Sequence, residues 1–344
     1  MVNTLVLKVT YLYVILATLV VAGCAGNSDS ENSKTLEDIV FMAGYNPQAN
    51  LPFVGVYVAD KNGYFEEQGL NVDVKHSSSG EHAKLLLSGD IQFSTSDAGS
   101  VLKQISSSNA PLISIALIGQ RGQQGYMALK DSQINSLKDW EGKTFGYKIS
   151  LPSDYKAMME FKGIARENIQ EVSVGFDPRI LTEGKVDILA VFKSNEPDTI
   201  RSLGYDVIVW DPYDYGVPTL GLTYITTQDY ADSNPDIVKR FLKATLKGIQ
   251  FAIENPGAAI EIVLQFAPES SSKHQTFMLS KEIEDARSDY TDKNGIGSMS
   301  DSQWKSLYDH LLEYNALETG FNYRRSFRPE FIGEIYESGD LLWP

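Results

Sequence analysis

Few residues in this chain could do covalent chemistry. Cys24 is the only cysteine among 344 residues, and it follows Val21-Ala22-Gly23 at the end of an uncharged apolar run, 9–20, that sits behind Lys8. A basic start, a short apolar core and small residues before a cut site describe a secretory signal. The run is nearer a signal core than the roughly 20 residues a membrane span needs; an uncleaved anchor around a chance cysteine is the alternative. The four histidines, His76, His82, His274 and His310, are widely scattered, and His76 with His82 reads as a surface pair rather than a metal site. Gly142-Lys143-Thr144 looks like the end of a phosphate loop, but Leu137 stands where that motif needs glycine. There is no G-x-S-x-G elbow and no H-E-x-x-H. Nothing brings together an acid, a base and a nucleophile, so the expectation is a binding protein and not an enzyme, with no cofactor and no metal.

The formal charge of −15 repels phosphate backbones and anionic headgroups, which argues against nucleic acid as a partner; solubility alone explains the same charge. Residues 25–35 are rich in Ser, Asn, Asp and Glu and read as a flexible tether. Strands and helices then alternate. Strands are expected at 39–45, 70–74, 91–95 and 112–118, with helices at 53–68, 81–87 and 98–106. A second series follows, with strands at 126–129, 144–148, 171–174, 186–192, 207–210 and 221–226 and helices at 153–161, 178–183 and 198–203. From Pro235 the pattern turns helical, as Val238, Phe241, Leu242, Thr245, Ile249 and Ala252 recur near period 3.6. Further helices are expected at 258–266, 274–286, 302–314 and 329–336. Two α/β series with a helical tail imply two lobes around a cleft, where small ligands meet strand ends and helix N-termini. The expected organisation is 1–23 signal segment, 24–36 tether, 37–121 with 225–344 as one lobe, and 122–224 as the other.

Several segments carry a family resemblance. Cys24 after Val-Ala-Gly resembles the lipobox of bacterial lipoproteins. That resemblance implies a diacylglycerol thioether on Cys24, cleavage before it, fatty-acyl (palmitate) modification, and a membrane-anchored protein facing outside the cytoplasm. Gly63-Tyr64-Phe65 with Gly69-Leu70-Asn71-Val72, then Gly89-Asp90-Ile91-Gln92-Phe93 and Ser96-Asp97-Ala98, then 232–240, resemble the solute-binding proteins of ABC importers, in the SsuA/THI5-like branch of thiamine-pyrimidine and sulfonate binders. The resemblance runs from about Ile39 to the C-terminus. It implies an α/β, two-lobed periplasmic-binding-protein type II fold, a small-molecule vitamin ligand, a permease with its ATPase as partners, and a monomer. Segments 41–53, 119–125 and 194–199 narrow it towards riboflavin-binding lipoproteins. Close relatives bind pyrimidine precursors of thiamine. One branch is enzymatic and makes the thiamine pyrimidine, but it resembles a cysteine-rich iron enzyme, and here the sole cysteine is taken by lipidation.

A neutral flat vitamin such as riboflavin needs aromatic faces for its ring and amides for its polar edge. Tyr45, Asn46, Gln48 and Asn50 crowd one loop before a helix, where a solvated Asn-Pro turn is the plainer explanation. Ser96 and Asp97 fall where a strand meets a helix, so that one caps the helix and the other faces ligand. Gln120, Arg121 and Gln123 join the lobes, with Gly122 and Gly125 expected to allow hinge rotation. Arg121 is equally suited to a salt bridge. Asn195 and Glu196 follow a strand, Glu196 either accepting from a ligand hydroxyl or stabilising a first helical turn. Tyr213 and Tyr215 are candidates for an aromatic wall, with Trp210 better suited to the core and Tyr155 a weaker candidate.

Overall fold

The computed structural model describes residues 36–318 and 320–344. The expected signal segment, the Cys24 lipidation site and the tether through Thr35 lie outside the described residues.

Ten strands form two mixed sheets. β1 (Glu37–Ala43), β2 (Leu70–His76), β3 (Phe93–Asp97) and β4 (Leu112–Leu117) precede the second sheet in the chain. β5 (Gln124–Leu129), β6 (Thr144–Lys148), β7 (Gln170–Val174), β8 (Ile188–Phe192) and β9 (Val207–Trp210) build that sheet, and β10 (Leu222–Thr227) returns to the first. The orders are β2-β1-β3-β10-β4 and β7-β6-β8-β5-β9. In each sheet four strands run in one direction, and one reversed strand, β10 or β5, lies between the third of them and the edge strand. Every residue of β4 (LISIAL) is buried, as expected of a strand covered on both faces.

The first core lies between its sheet and two helices, Leu51–Lys61 and Pro235–Glu254. Phe93 stacks on Phe241 with ring centroids 4.0 Å apart and 6° between planes, and Phe41 and Phe65 stack on Phe241 as well. The two helices cross where both carry glycine. A Cβ on Gly248 would stand 2.1 Å from the Gly55 carbonyl oxygen, so the pair sets how closely the helices approach. The second core is aromatic: Tyr126, Trp140, Phe145, Tyr155 and Trp210 pack together, with Trp210 edge-on to Trp140 at 5.4 Å. Tyr155 is fully buried there and is a core residue.

Two expected helices are divided differently. The segment 53–68 is broken at Gly63, whose φ of 75° is left-handed and ends one helix before Tyr64–Glu67 begins. Of 329–336 only Glu330–Gly333 is helical. The chain then forms a hairpin, β11 (Tyr336–Glu337) and β12 (Asp340–Leu341). Its turn residues Ser338 and Gly339 both have positive φ, 53° and 88°, the geometry that suits a tight hairpin.

The chain crosses between the sheets twice, and the crossings touch. The Gly221 N–H donates to the Gly119 carbonyl at 2.9 Å, and the Gly119 N–H donates to the Leu222 carbonyl at 2.9 Å. A Cβ on Gly119 would lie 2.8 Å from the Gly221 Cα. Gly122 and Gly125, expected to allow hinge rotation, also stand at close approaches. A Cβ on Gly122 would meet the Thr219 Cβ at 2.8 Å, and one on Gly125 the Lys193 Cγ at 2.7 Å.

Gly248→Ala should therefore destabilise the chain. Alanine favours helix by about 1 kcal/mol, but the clash is with backbone, and overpacking of this kind costs about 1–3 kcal/mol. Chemical denaturation should show a lower midpoint at unchanged slope; a midpoint at or above that of the parent would contradict the role given to this crossing.

Candidate functional site

The C-terminal ends of β1 and β3 in one sheet and β8 in the other face a common cleft. A cavity of about 780 Å³ opens there, lined by Tyr45, Gln48, Asn50, His82, Ser96, Asp97, Gln123, Phe176, Phe192, Asn195, Glu196 and Met278 among others. Three of its aromatic rings are largely unburied: Tyr45 is 54% exposed, Phe176 65% and Phe192 43%. Tyr45 comes from the first lobe and both phenylalanines from the second, so the rings approach from both sides. Large apolar rings left in water at strand ends are surfaces for a ligand.

The polar groups are mostly engaged with each other. Glu282, on the helix Ser272–Ala286, is 9% exposed. Its Oε1 accepts from Asn50 Nδ2, Gln123 Nε2 and Ser194 Oγ, each at 3.0 Å, and its Oε2 accepts from the Leu51 N–H at 3.4 Å. Burial pushes this carboxyl up in pKa, while these donors oppose the rise. The side-chain amides of Asn50 and Gln123, expected to donate to ligand, thus donate to a buried carboxylate. Glu196 is likewise occupied: one oxygen pairs with the Lys148 ammonium, and the other accepts from the Phe192 N–H at 2.8 Å. Lys148 Nζ also lies 5.6 Å and 5.4 Å from the ring centroids of Phe176 and Phe192, a cation held against two aromatic faces. Glu196 therefore anchors the lysine that supports the rings, and it opens the helix Glu196–Ser202.

The same face of Ser272–Ala286 holds the second lobe at two further points. His274 Nδ1 lies 2.8 Å from Asp198 Oδ2, and its Nε2 lies 3.1 Å from Asn195 Oδ1. Lys193 pairs with Asp211 and, at 3.0 Å, with Asp285. Burial pushes Asp285 up to about 6 against the pull of Lys193. The Asp285 carbonyl also receives the Gln120 N–H at 2.8 Å. His274, Met278, Glu282 and Asp285, spaced four, four and three apart, form one stripe. That spacing was visible in the sequence, but nothing there said what the stripe faced.

Ser96 and Asp97 divide their roles. Asp97 accepts from the Ser100 N–H at 3.2 Å and caps the helix Ala98–Ser108, while Ser96 lines the cavity at 8% exposure. Five expected residues lie elsewhere. Asn46 is exposed and not among the cavity lining. Gln120 is 3% exposed, its amide nitrogen donating to the Leu117 and Ser298 carbonyls and its oxygen accepting from Gln303 and Ser288. Arg121 stacks on Tyr213 at 4.4 Å and reaches Asp214 at 3.6 Å, which is the salt-bridge role. Arg121 and Tyr213 border a separate groove with Arg287 and Gln303. Tyr215 packs on the second core under Lys162. Phe176 and Phe192 in the cavity wall, Lys148 against their rings and Glu282 behind the amides were not singled out in the sequence. His76 is bound to the Tyr57 hydroxyl and packed near Phe266; it does not join His82, which lines the cleft.

The fold has solved counterparts. The periplasmic aliphatic sulphonate binding protein SsuA from Escherichia coli matches with a TM-score of 0.66 at 13% identity, over 84% of this chain and 96% of that one. The two sheets and their cleft are the two-lobed periplasmic-binding-protein fold. A family model described as NMT1/THI5 like matches residues 50–259, and the chain belongs to that family. Among characterised relatives, the formylaminopyrimidine-binding protein of Halalkalibacterium halodurans is 28% identical over 317 residues, covering 88% of this chain and 93% of its own. The riboflavin-binding protein RibY of Chloroflexus aurantiacus is 22% identical over 309 residues, covering 87% of each.

Asp97 offers a test of the electrostatics. Burial raises its pKa from 3.8 to about 6. Below pH 4 the group is neutral in both folded and unfolded chains and carries no penalty. Between pH 4 and 6 the unfolded chain loses its proton first, so stability falls and stays lower above 6. Asp97→Asn, which keeps a capping oxygen, should stabilise the fold at pH 8 by about 1–3 kcal/mol and leave it unchanged at pH 4. Thermal melts of both proteins at the two pH values would read this; a gain independent of pH would remove the buried charge as its cause.

Proposed function

We propose that this chain is the lipid-anchored, extracytoplasmic solute-binding component of an ABC importer, that its cargo is riboflavin, and that it passes the cargo unaltered to a permease. The observation that carries the reading is the set of unburied rings, Tyr45, Phe176 and Phe192, around a cleft of about 780 Å³ between two lobes. Flat heterocycles bind by offset stacking on such faces. The cation held against Phe176 and Phe192, Lys148, is already paired with Glu196, which suits an uncharged ring. The similarity to RibY over 87% of both chains supports the same cargo. On this reading the lobes are 37–121 with 225–344, and 122–224, and closure over the ligand is a hinge motion.

A second cargo, a formylated aminopyrimidine, is favoured by the 28% identity to the formylaminopyrimidine-binding protein. It would use the same rings with one heterocycle in place of three.

Protein stripped of ligand by unfolding and refolding should quench riboflavin fluorescence at micromolar concentration or below. Phe192→Ala should weaken that binding about 2- to 10-fold, the worth of one stacking contact. No quenching at saturating flavin would exclude riboflavin. A thermal shift with formylaminopyrimidine then reads the second cargo, since a ligand at 100 times its Kd stabilises by about 2.7 kcal/mol.

The anchor is tested separately. Membrane-extracted protein should show an intact mass beginning at Cys24 with added acyl chains, and Cys24→Ser should be recovered without them. A full-length unacylated chain from the parent sequence would overturn the anchored reading.

A further inference from the structure

Beside the aromatic cavity lies a second one of about 600 Å³. The two share Asp97, Ser100, Gln123, Phe176 and Phe192 in their walls, so they adjoin along that line. The second compartment has charged and polar side chains of its own. Asp97, Lys103, Gln124, Ser153, Asp154 and His310 all contribute to it.

We infer that this compartment receives an uncharged, hydroxyl-bearing chain attached to the ring held between Tyr45, Phe176 and Phe192. The inference rests on the reading of a flat heterocyclic cargo and specifies what that cargo must carry.

Two observations point to a neutral chain rather than an anion. The compartment meets the N-termini of two helices, Ala98–Ser108 and Ser153–Phe161, where an anion would ordinarily be welcome. Both are already taken by the chain's own carboxylates. Asp97 accepts from the Ser100 N–H at 3.2 Å, and Asp154, 7% exposed, accepts from the Tyr155 N–H at 3.1 Å. A phosphate or sulfonate entering here would face two carboxylates; of the two lysines in the lining, Lys148 is paired with Glu196 and Lys103 already acts on both carboxylates.

The second observation is an orphaned atom. His310 is 4% exposed, lines the compartment, and its Nε2 has no hydrogen-bond partner. Burial, reinforced by the nearby Lys103 charge, lowers its pKa to about 4, so at neutral pH it is an uncharged imidazole able to donate at one nitrogen and accept at the other. A buried polar group without a partner is costly. A ligand hydroxyl, met by a turn of the imidazole toward the compartment, supplies both a donor and an acceptor, and so satisfies either tautomer. A carboxylate can only accept and an ammonium can only donate. The amide nitrogens of Gln123 and Gln124 in the same wall donate to Glu282 and to the Gly125 and Val191 carbonyls, and the Ser153 hydroxyl stands beside them.

Three flavins separate the possibilities: riboflavin, lumiflavin (a methyl group in place of the hydroxylated chain) and riboflavin 5′-phosphate. Fluorescence titration of the full chain should give riboflavin at least about tenfold tighter than lumiflavin, the worth of one or two neutral hydrogen bonds. It should also give riboflavin about tenfold or more tighter than its phosphate. His310→Phe should reduce the riboflavin advantage severalfold and leave lumiflavin affinity unchanged; the unchanged value certifies an intact fold and ring site. Equal affinity for riboflavin and lumiflavin, or tighter binding of the phosphate, would overturn the inference while leaving a flavin receptor standing. Loss of affinity for both flavins equally in His310→Phe would also overturn it, by making His310 a structural residue only. If no flavin binds, the cargo reading fails first and this inference with it.

Discussion

A single buried carboxylate organises the centre of this molecule. Glu282 gathers donors from the loop after β1 (Asn50 and Leu51), from the first crossing (Gln123) and from the end of β8 (Ser194). A charge taken out of water is tolerated only when hydrogen bonds replace its hydration. Four protein donors do so here, and they come from both lobes. The requirement to satisfy one anion therefore fixes where the two sheets meet. It also explains why two amides that line the cleft have their nitrogens engaged within the protein.

That arrangement decides how much of the site was legible. Strands such as 144–148 and 207–210, and the helix 153–161, follow from β-branched or amphipathic runs bounded by turn residues, and the structure has them at those bounds. That one of Ser96 and Asp97 caps the helix was legible too, because the cap reaches only three residues along the chain. Tyr45, Gln48 and Ser96 reach the cleft as expected. The assignments that shifted all depend on contacts across long sequence separations. Asn50 and Gln123 look like free amides until the helix carrying Glu282, more than 150 residues later, packs against them. Glu196 looks like a ligand acceptor until Lys148, on another strand, closes on it. Phe176 and Phe192 carry no local mark of function: a phenylalanine at a strand end is ordinarily a core residue, and only its exposure in the folded chain distinguishes it.

The cleft combines a fixed frame with unsatisfied surfaces. Around it, charges are paired and amides are spoken for: Lys148 with Glu196, Lys193 with Asp211 and Asp285, His274 between Asp198 and Asn195. What is left unpartnered is apolar ring surface and one nitrogen each of His82 and His310. Selectivity in such a site comes in part from what has been neutralised beforehand, since an incoming anion finds Lys148 and Lys193 already paired.

The sheet orders also bear on how the polypeptide assembles as it is made. All five strands of the second sheet lie within one continuous stretch, from Gln124 to Trp210. The first sheet begins earlier in the chain but needs β10 to join β3 to β4, and β10 ends at Thr227. Vectorial synthesis delivers residues in order at about 5–20 per second. The later-encoded sheet is thus the one whose pairing partners are all present first, and the N-terminal strands must wait, with the edge of β3 unpaired, until the chain has come back.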